Sequence, residues 1–199
     1  MPQPSPAPPV ASLIPPDRFR RQPWKNGGGV TTEIAAVTDG DRLLWRVSVA
    51  EVTADQPFSL FPGLERILAV VEGAGLRLGV DGDPPVTVTP SDGAFRFRGE
   101  APVTCALVGG PCRVFNLMFD RERLDGTLRR IAPGAAAEAP PGATSLVFAT
   151  EAGLHVRAGG RTWQVPGGHA LRLDGAGVFD AGAFEAGGGA PLLATLTRR

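Results

Sequence analysis

Apolar and polar residues alternate with a period of two in several short segments of the chain. Successive side chains of a β-strand point to opposite faces of its sheet, so this alternation is typical of strands with one buried face. Glycine and proline residues separate the segments, and strands at this spacing indicate a sandwich or barrel. The predicted strands are Leu43–Ala50, Ile67–Val71, Leu76–Val80, Val86–Thr89, Ala94–Arg98, Val103–Val108 and Val114–Phe119.

Helical periodicity is scarce, and a single segment, Arg121–Ile131 (RERLDGTLRRI), is a candidate helix. Gly126 in its interior lowers its helix propensity. The segment that follows, APGAAAEAPPGATS, is rich in alanine, proline and glycine. We interpret it as a flexible connector and place a domain boundary there.

Two segments on either side of this connector resemble each other. The first reads ERILAVVEGAGLRLGVDGDPPVTVTPSDGAFRFRGE and the second reads TSLVFATEAGLHVRAGGRTWQVPGGHALRLDG. Each has an apolar strand, a glycine turn after a glutamate, two more strands, and a second glycine turn before another strand. This order is typical of a cupin half-barrel, and a repeat indicates two such units. We therefore predict an all-β double cupin (bicupin) with two jelly-roll-like antiparallel β-barrels and little helix.

The predicted organisation has four parts along the chain. They are a disordered proline-rich leader (1–16), a first cupin half (17–130), a flexible connector (131–145) and a second cupin half (146–199). Strands from the N-terminal part are candidates to complete the second half.

The chain has no excess charge, because 20 Lys and Arg residues balance 20 Asp and Glu residues. A nucleic-acid or anionic-membrane partner would favour a basic surface, so we expect neither. No apolar run is long enough for a membrane helix, and the N-terminus lacks the basic start of a secretory signal. We expect a cytoplasmic protein. Cys105 and Cys112 are too few for a disulfide framework and are predicted to be buried free thiols.

Metal binding is the main catalytic alternative. Cupin enzymes commonly hold a transition metal with histidines and a carboxylate. The chain has two histidines, His155 and His169, and His169 follows V-P-G-G, where a second cupin motif places a ligand. A site with Glu151 or Asp174 would make the protein a metal-dependent isomerase or dioxygenase; structural or surface histidines are the other interpretation. No serine or cysteine has a histidine near it in sequence, so nothing here requires catalysis or a cofactor.

The segment Pro23–Ile34 (PWKNGGGVTTEI) contains three consecutive glycines. A phosphate-binding loop is followed by a helix and usually has its lysine after the glycines. Here Lys25 precedes the glycines and a strand-like segment follows them, which argues against phosphate. We interpret the glycines as the rim of a pocket, where the backbone approaches a ligand between Asn26 and Glu33.

Ordered motifs in the first half resemble the HutD/Ves family. They are WKNGGGVTTEI, WRVSVA at Trp45–Ala50, FSLFPGLER at Phe58–Arg66, VEG at Val71–Gly73, FRG at Phe97–Gly99 and FNLM at Phe115–Met118. The resemblance implies a bicupin without a catalytic metal. It also implies an accessory or regulatory role in histidine utilisation, with a pathway carboxylate such as formylglutamate or urocanate as ligand. A Ves-like role in stress response is an alternative, and Val114 stands where the family pattern has an aspartate.

The alternation places Arg46 with Ser48 on one strand face, and Asn116 with Met118 on another. A guanidinium offers a planar fork to a carboxylate, so Arg46 and Arg66 are the preferred anchors for a small anionic amino-acid derivative. The competing interpretations are that these polar residues form a solvent-exposed strand face and that the aromatic residues are ordinary core. Exposed sheet edges are compatible with a homodimer. The predicted ligand-binding residues are Trp24, Asn26, Gly27, Gly28, Gly29, Thr31, Glu33, Arg46, Ser48, Phe58, Phe61, Arg66, Asn116 and Met118.

Overall fold

The computed structural model describes residues 9–24, 28–132, 135–140, 142–175, 177–183 and 190–199. Nearly all regular structure in them is β-strand, with a short 3-10 helix at Pro16–Arg18. The strands are β1 (Val10–Ile14), β2 (Arg20–Pro23), β3 (Gly29–Asp39), β4 (Arg42–Val52), β5 (Leu64–Glu72), β6 (Leu76–Val80), β7 (Val86–Val88), β8 (Phe95–Arg98), β9 (Val103–Leu107), β10 (Cys112–Asp120), β11 (Leu124–Arg130), β12 (Ala135–Ala139), β13 (Thr144–Phe148), β14 (Leu154–Ala158), β15 (Arg161–Val165), β16 (Ala170–Asp174), β17 (Gly177–Ala183) and β18 (Leu192–Arg198).

Each segment predicted as a strand from its alternation coincides with one of the strands β4 to β10, so those predictions are confirmed. The predicted helix at Arg121–Ile131 is wrong, because most of it is the strand β11. Burial alternates along β11, since Leu124, Gly126 and Leu128 are buried and the residues between them are exposed. Gly126 also fits this strand because a Cβ there would lie 2.6 Å from the ring of Phe119.

The chain divides into two compact units. The 18–128 unit contains Arg18–Leu128, and the 129–198 unit contains Arg129–Arg198 together with the N-terminal segment that includes β1. The boundary between them falls within β11.

The 18–128 unit has two antiparallel sheets. One has the strand order β2-β3-β4-β10-β5-β8, and the other has the order β7-β6-β9. One buried cluster of this unit is apolar apart from two cysteines and consists of Ala50, Val52, Leu68, Val70, Leu76, Leu78, Val88, Phe97, Val103, Cys105, Cys112 and Val114.

The 129–198 unit also has two antiparallel sheets. One includes β1-β16-β13-β18 as successive neighbours, and the other has the order β12-β17-β14-β15. Its buried cluster is entirely apolar. The members are Ile131, Ala137, Val147, Ala149, Leu154, Val156, Ala158, Val165, Leu171, Leu173, Phe179, Ala181 and Leu193.

The internal repeat reappears as a repeated set of strand pairings. In the 18–128 unit, β5 pairs with β8 and β10, while β6 pairs with β7 and β9. In the 129–198 unit, β13 pairs with β16 and β18, while β14 pairs with β15 and β17. The all-β prediction is therefore confirmed, and the two halves of the repeat share one pairing scheme.

Two segments predicted to lack structure contain strands. In the leader predicted as disordered (1–16), Val10–Ile14 forms β1 and pairs with β16; residues 1–8 lie outside the described residues. In the connector predicted as flexible (131–145), Ala135–Ala139 forms β12 and pairs with β17. Both predictions are wrong for these segments. Each strand lies at a sheet edge, where pairing with a neighbour supplies what local sequence preference does not.

Candidate functional site

Strand register brings the predicted arginine anchors to one face of the six-stranded sheet. Met118 on β10 lies opposite Arg46 on β4 and opposite Arg66 on β5. Directly opposed residues of antiparallel strands point to the same face. Asn116, which is two positions before Met118 on β10 and points to the same face, lies opposite Ser48 on β4. The two arginines therefore flank Met118, with a polar pair beside them.

This face lines a cavity of about 540 Å³ within the 18–128 unit. The loop between β4 and β5 contributes to its wall. The lining residues are Gln22, Pro23, Trp24, Thr31, Arg46, Ser48, Ala50, Val52, Pro57, Phe58, Ser59, Phe61, Arg66, Val114, Asn116 and Met118.

Arg66 is a buried cation surrounded by aromatic rings. It is 8% exposed, and its guanidinium carbon lies 5.1 Å from the ring centroid of Phe58, 5.4 Å from Phe61 and 4.8 Å from Phe97. Nη1 donates a hydrogen bond to the carbonyl oxygen of Ser59 at 3.3 Å. Burial, and after it the positive charge of Arg46, lower the pKa of Arg66 to about 10.

Arg46 occupies the other side of Met118. Its Nη2 lies 3.0 Å from the Met118 sulfur, a weak acceptor, and its guanidinium carbon lies 5.5 Å from the ring centroid of Phe61. Burial lowers the pKa of Arg46, and the negative charge of Glu33 partly opposes that shift. Phe61 thus lies against both guanidinium groups.

The two arginines lack the carboxylate partners that other arginines of this unit have. Arg42 pairs with Asp120 at 2.6 Å, and Arg121 pairs with Glu100 at 2.6 Å. Within the part of the chain that the structure describes, no carboxylate oxygen lies within 4.0 Å of Arg46 or Arg66, and the buried Nε atom of each has no hydrogen-bond partner. Their charges are available to an anion.

Asn116 supplies a buried acceptor beside these cations. Its Nδ2 donates a long hydrogen bond of 3.5 Å to the carbonyl oxygen of Val114. Its Oδ1 is buried and has no hydrogen-bond partner among the described residues. A buried carbonyl oxygen without a partner costs free energy, so this atom favours a ligand that carries an N–H or O–H group.

Comparison with known proteins assigns the chain to a family. The sequence profile of HutD matches residues 17–190. The chain belongs to the HutD family. It is 40% identical over 167 residues to an uncharacterised 21.2 kDa protein in the hutC 3' region of Pseudomonas putida, covering 79% of this chain and 83% of that protein. It is 34% identical over 109 residues to protein Ves of Citrobacter koseri, covering 53% of this chain and 56% of Ves.

Solved structures agree with the HutD assignment. The structure of HutD from Pseudomonas fluorescens SBW25 (formate condition) is similar with a TM-score of 0.81 and 32% identity, covering 96% of this chain and 100% of that one. A cupin 2 conserved barrel domain protein from Leptotrichia buccalis shares the fold, with a TM-score of 0.52 at 11% identity over 86% of this chain and 89% of that one. The predicted HutD/Ves resemblance and cupin-like fold are confirmed.

The cavity of this HutD-family chain collects most of the predicted ligand-binding residues. Nine of them line it: Trp24, Thr31, Arg46, Ser48, Phe58, Phe61, Arg66, Asn116 and Met118. Sequence reasoning missed Gln22, Pro23, Ala50, Val52, Pro57, Ser59 and Val114. Alternation along β4 and β10 could have identified Ala50 and Val114, which continue the faces of Ser48 and Asn116.

The remaining predicted residues lie outside the lining. Asn26 and Gly27 fall outside the described residues. Glu33 lies opposite Ser48 in the register and affects the site through its charge on Arg46. Gly28 and Gly29 are buried but do not line the cavity, so their backbone does not form its wall.

Among the residues that the structure describes, the two histidines do not lie in a group of metal-ligating side chains. In the described residues, no three or more His, Cys, Asp or Glu side chains are grouped so as to hold a metal ion. His169 precedes β16, and its Nδ1 lies 3.1 Å from the carbonyl oxygen of Gly167. His155 lies on β14 opposite Gln164. The geometry therefore offers no support for the metal-enzyme alternative.

Cys105 and Cys112 are buried free thiols, as predicted. Burial raises the pKa of Cys105 to about 12 and that of Cys112 to about 11. A thiol with so high a pKa is a poor nucleophile near neutral pH. Over the described part of the chain, no helix has the length and apolar character needed to cross a membrane.

Proposed function

We propose that this HutD-family protein binds a small carboxylate metabolite and has an accessory or regulatory role in histidine utilisation. The observation that carries the proposal is the pair of guanidinium groups, Arg46 and Arg66, that line one cavity and have no carboxylate partner among the described residues. A buried cation is costly without a counter-charge, and a ligand carboxylate would supply it.

The shape and polarity of the cavity support a small ligand with two different ends. Its volume of about 540 Å³ lies within the usual range for small-molecule sites. A carboxylate would pair with Arg46 or Arg66, and an N–H group on the same molecule would donate to Oδ1 of Asn116. Formylglutamate has carboxylates and an amide N–H, and urocanate has a carboxylate and an imidazole N–H.

The role in histidine utilisation is supported by the family rather than by the geometry. The relatives include HutD of Pseudomonas fluorescens and a Pseudomonas putida protein named after the hutC 3' region. A cavity that would bind a pathway carboxylate, and whose described lining contains no His, Cys, Asp or Glu, suits an accessory protein whose occupancy follows metabolite concentration.

Isothermal titration calorimetry and thermal unfolding with formylglutamate, formiminoglutamate and urocanate test the ligand class. We expect at least one compound to bind, and a ligand at about 100 times its dissociation constant should stabilise the fold by about 2.7 kcal/mol. Arg46→Ala should weaken this binding by about 10-fold or more, because it removes a charge-assisted contact. Arg113→Ala is the matched control, since Arg113 pairs with Glu72 outside the cavity. Absence of binding by all three compounds would contradict the ligand class.

The regulatory part needs a separate measurement in cells that use histidine as a nutrient. We expect Arg46→Ala to reproduce the effect of deleting the gene on transcripts of the histidine-utilisation genes, whereas Arg113→Ala should behave as the unaltered protein. Identical transcript levels in the deletion strain and its parent would contradict the regulatory role and leave ligand binding intact.

A further inference from the structure

The glycine run of the family motif makes room for a side chain from another segment. The carbonyl oxygen of Gly28 accepts hydrogen bonds from the backbone N–H of Thr53 at 3.0 Å and from Nε2 of Gln56 at 2.7 Å. A Cβ on residue 28 would overlap the side-chain amide of Gln56. Glycine at this position is therefore what lets the Gln56 amide reach the backbone of the motif.

Gly29 plays the corresponding part for Trp24. The backbone N–H of Trp24 donates to the carbonyl oxygen of Gly29 at 2.9 Å. A Cβ on residue 29 would overlap the carbonyl oxygen of Glu51 and would lie 2.9 Å from the indole ring of Trp24. The indole Nε1 donates to Oγ1 of Thr31 at 2.7 Å. Trp24 is thus held by the strand that begins at Gly29, and its ring lines the cavity.

Gln56 also belongs to the segment that contains Phe58, whose ring forms a second aromatic wall of the cavity. Its backbone N–H donates to the carbonyl oxygen of Cys105 at 2.9 Å, and that of Phe58 donates to Val103 at 3.0 Å. The ring of Phe58 stacks on Phe97 at 6.4 Å. One side chain, that of Gln56, therefore bonds the segment bearing Phe58 to the segment bearing Trp24.

We propose that Gln56 is a positioning residue of the cavity, which fixes the Trp24 wall relative to the Phe58 wall through its hydrogen bond to Gly28. Gln56 does not line the cavity, so it acts on a ligand only through these rings. The inference rests on the proposed function where it concerns affinity, but the placement of Trp24 is independent of any ligand.

A spectroscopic test follows the ring itself. The protein has three tryptophans, Trp24, Trp45 and Trp163, so 5-fluorotryptophan labelling should give three ¹⁹F resonances, with that of Trp24 assigned from Trp24→Phe. We expect Gln56→Ala to shift or broaden the Trp24 resonance and leave the other two in place. A general loss of stability would affect all three resonances and not that of Trp24 alone. An unchanged Trp24 resonance would overturn the proposal.

A double-mutant cycle tests the contact with Gly28. Gly28→Ala should displace the Gln56 amide and give the same change in the Trp24 resonance as Gln56→Ala, and the double variant should show no further change. Additive changes in the double variant would overturn the proposal. Gly93→Ala is the matched control, because a Cβ there meets no heavy atom within 4 Å.

Affinity is measured on the same variants with formylglutamate and urocanate as probes. We expect Gln56→Ala and Gly28→Ala each to weaken binding by about 10-fold, the equivalent of one lost hydrogen bond, while Gly93→Ala binds normally. Unaltered affinity in Gln56→Ala would overturn the inferred role in binding. If the unaltered protein binds none of formylglutamate, formiminoglutamate and urocanate, the proposed ligand class fails, and the Trp24 resonance still decides whether Gln56 positions the ring.

Discussion

The two units use one pairing scheme but place very different side chains at the same position. Counting back six residues from Glu72 on β5 and from Glu151 after β13 aligns Arg66 with Ser145. Arg66 lies opposite Met118 and opposite Phe97. The aligned position therefore carries a guanidinium in the 18–128 unit and a small hydroxyl in the 129–198 unit.

The neighbours of the aligned position also differ between the two units. Ser145 is fully buried and lies opposite Thr195 and Leu173. Its hydroxyl oxygen lies 3.4 Å from that of Thr195. Val147, the next residue on the same face of β13, belongs to the apolar cluster of the 129–198 unit. A short side chain with a hydroxyl neighbour is compatible with a filled interior, whereas Arg66 needs aromatic rings and a cavity around its charge.

The shared pairing scheme does not determine which side chains line the interior of each unit. Among the described buried polar residues, Ser48, Arg66, Asn116 and Asp120 belong to the 18–128 unit, and Ser145 belongs to the other. The 18–128 unit keeps a polar face whose arginines, Arg46 and Arg66, have no carboxylate partner among the described residues, and the 129–198 unit has a largely apolar interior. Such a division is expected where binding requires groups that stability alone would not select.

Transferring the arginine between the units should produce the largest effect. Ser145→Arg would bury a charge opposite Leu173 without the aromatic rings that surround Arg66, and the added volume would strain the packed cluster. We expect it to destabilise the protein by about 4 kcal/mol or more, measured by urea unfolding. Ser145→Val is the uncharged apolar control and should cost about 1 kcal/mol. Stability of Ser145→Arg within about 1 kcal/mol of the unaltered protein would contradict the comparison.

Removing the arginine from the 18–128 unit should have the opposite effect on stability and a large effect on binding. Arg66→Met replaces a buried cation with an apolar chain that packs well on aromatic rings, so we expect a gain of about 1 kcal/mol. Affinity for a bound carboxylate should fall by about 10- to 100-fold, because charge-assisted hydrogen bonds are lost. Thermal unfolding and calorimetry measure the two quantities.

Arg121→Met is the control for that substitution, since Arg121 pairs with Glu100 outside the cavity. The Arg121→Met substitution should bring no gain in the free energy of unfolding and no change in affinity for the carboxylate. An Arg66→Met variant that is less stable than the unaltered protein would show that the charge of Arg66 contributes to the fold.

Much of this architecture could be predicted from residue patterns. Period-two alternation located the strands β4 to β10 and put Arg46 with Ser48, and Asn116 with Met118, on common faces. The placement of Met118 between Arg46 and Arg66 could not be predicted, because it depends on the register of three strands that are distant in sequence.

Other features depended on contacts that the local sequence does not contain. β1 and β12 form at sheet edges, and their flanking prolines and alanines gave no sign of a partner strand. From the sequence, the glycine run suggests a backbone wall for a ligand, whereas in the structure Gly28 and Gly29 make room for Gln56 and Trp24. Sequence identifies a glycine as special, but only the fold shows which atoms occupy the space its missing side chain leaves.

The smallest predicted effect is the pH dependence of stability, which arises from cysteines that only the 18–128 unit contains. Both cysteines of the chain, Cys105 and Cys112, lie in the core of the 18–128 unit. Burial raises the pKa of Cys105 to about 12 and that of Cys112 to about 11, from an ordinary value of 9.0. The unfolded chain therefore releases these protons at lower pH than the folded chain does. Stability from the protonated thiols is complete below about pH 9 and declines as pH rises towards the folded values.

Urea unfolding at pH 8, 9 and 10 should therefore show a falling free energy of unfolding above pH 9. Cys105→Ala/Cys112→Ala is less stable at pH 8 because it loses buried volume, but its stability should fall less steeply between pH 9 and 10. Ser145→Val, which alters the unit without cysteines, should keep the slope of the unaltered protein. An equal slope in the double cysteine variant would show that alkaline destabilisation arises elsewhere in the protein.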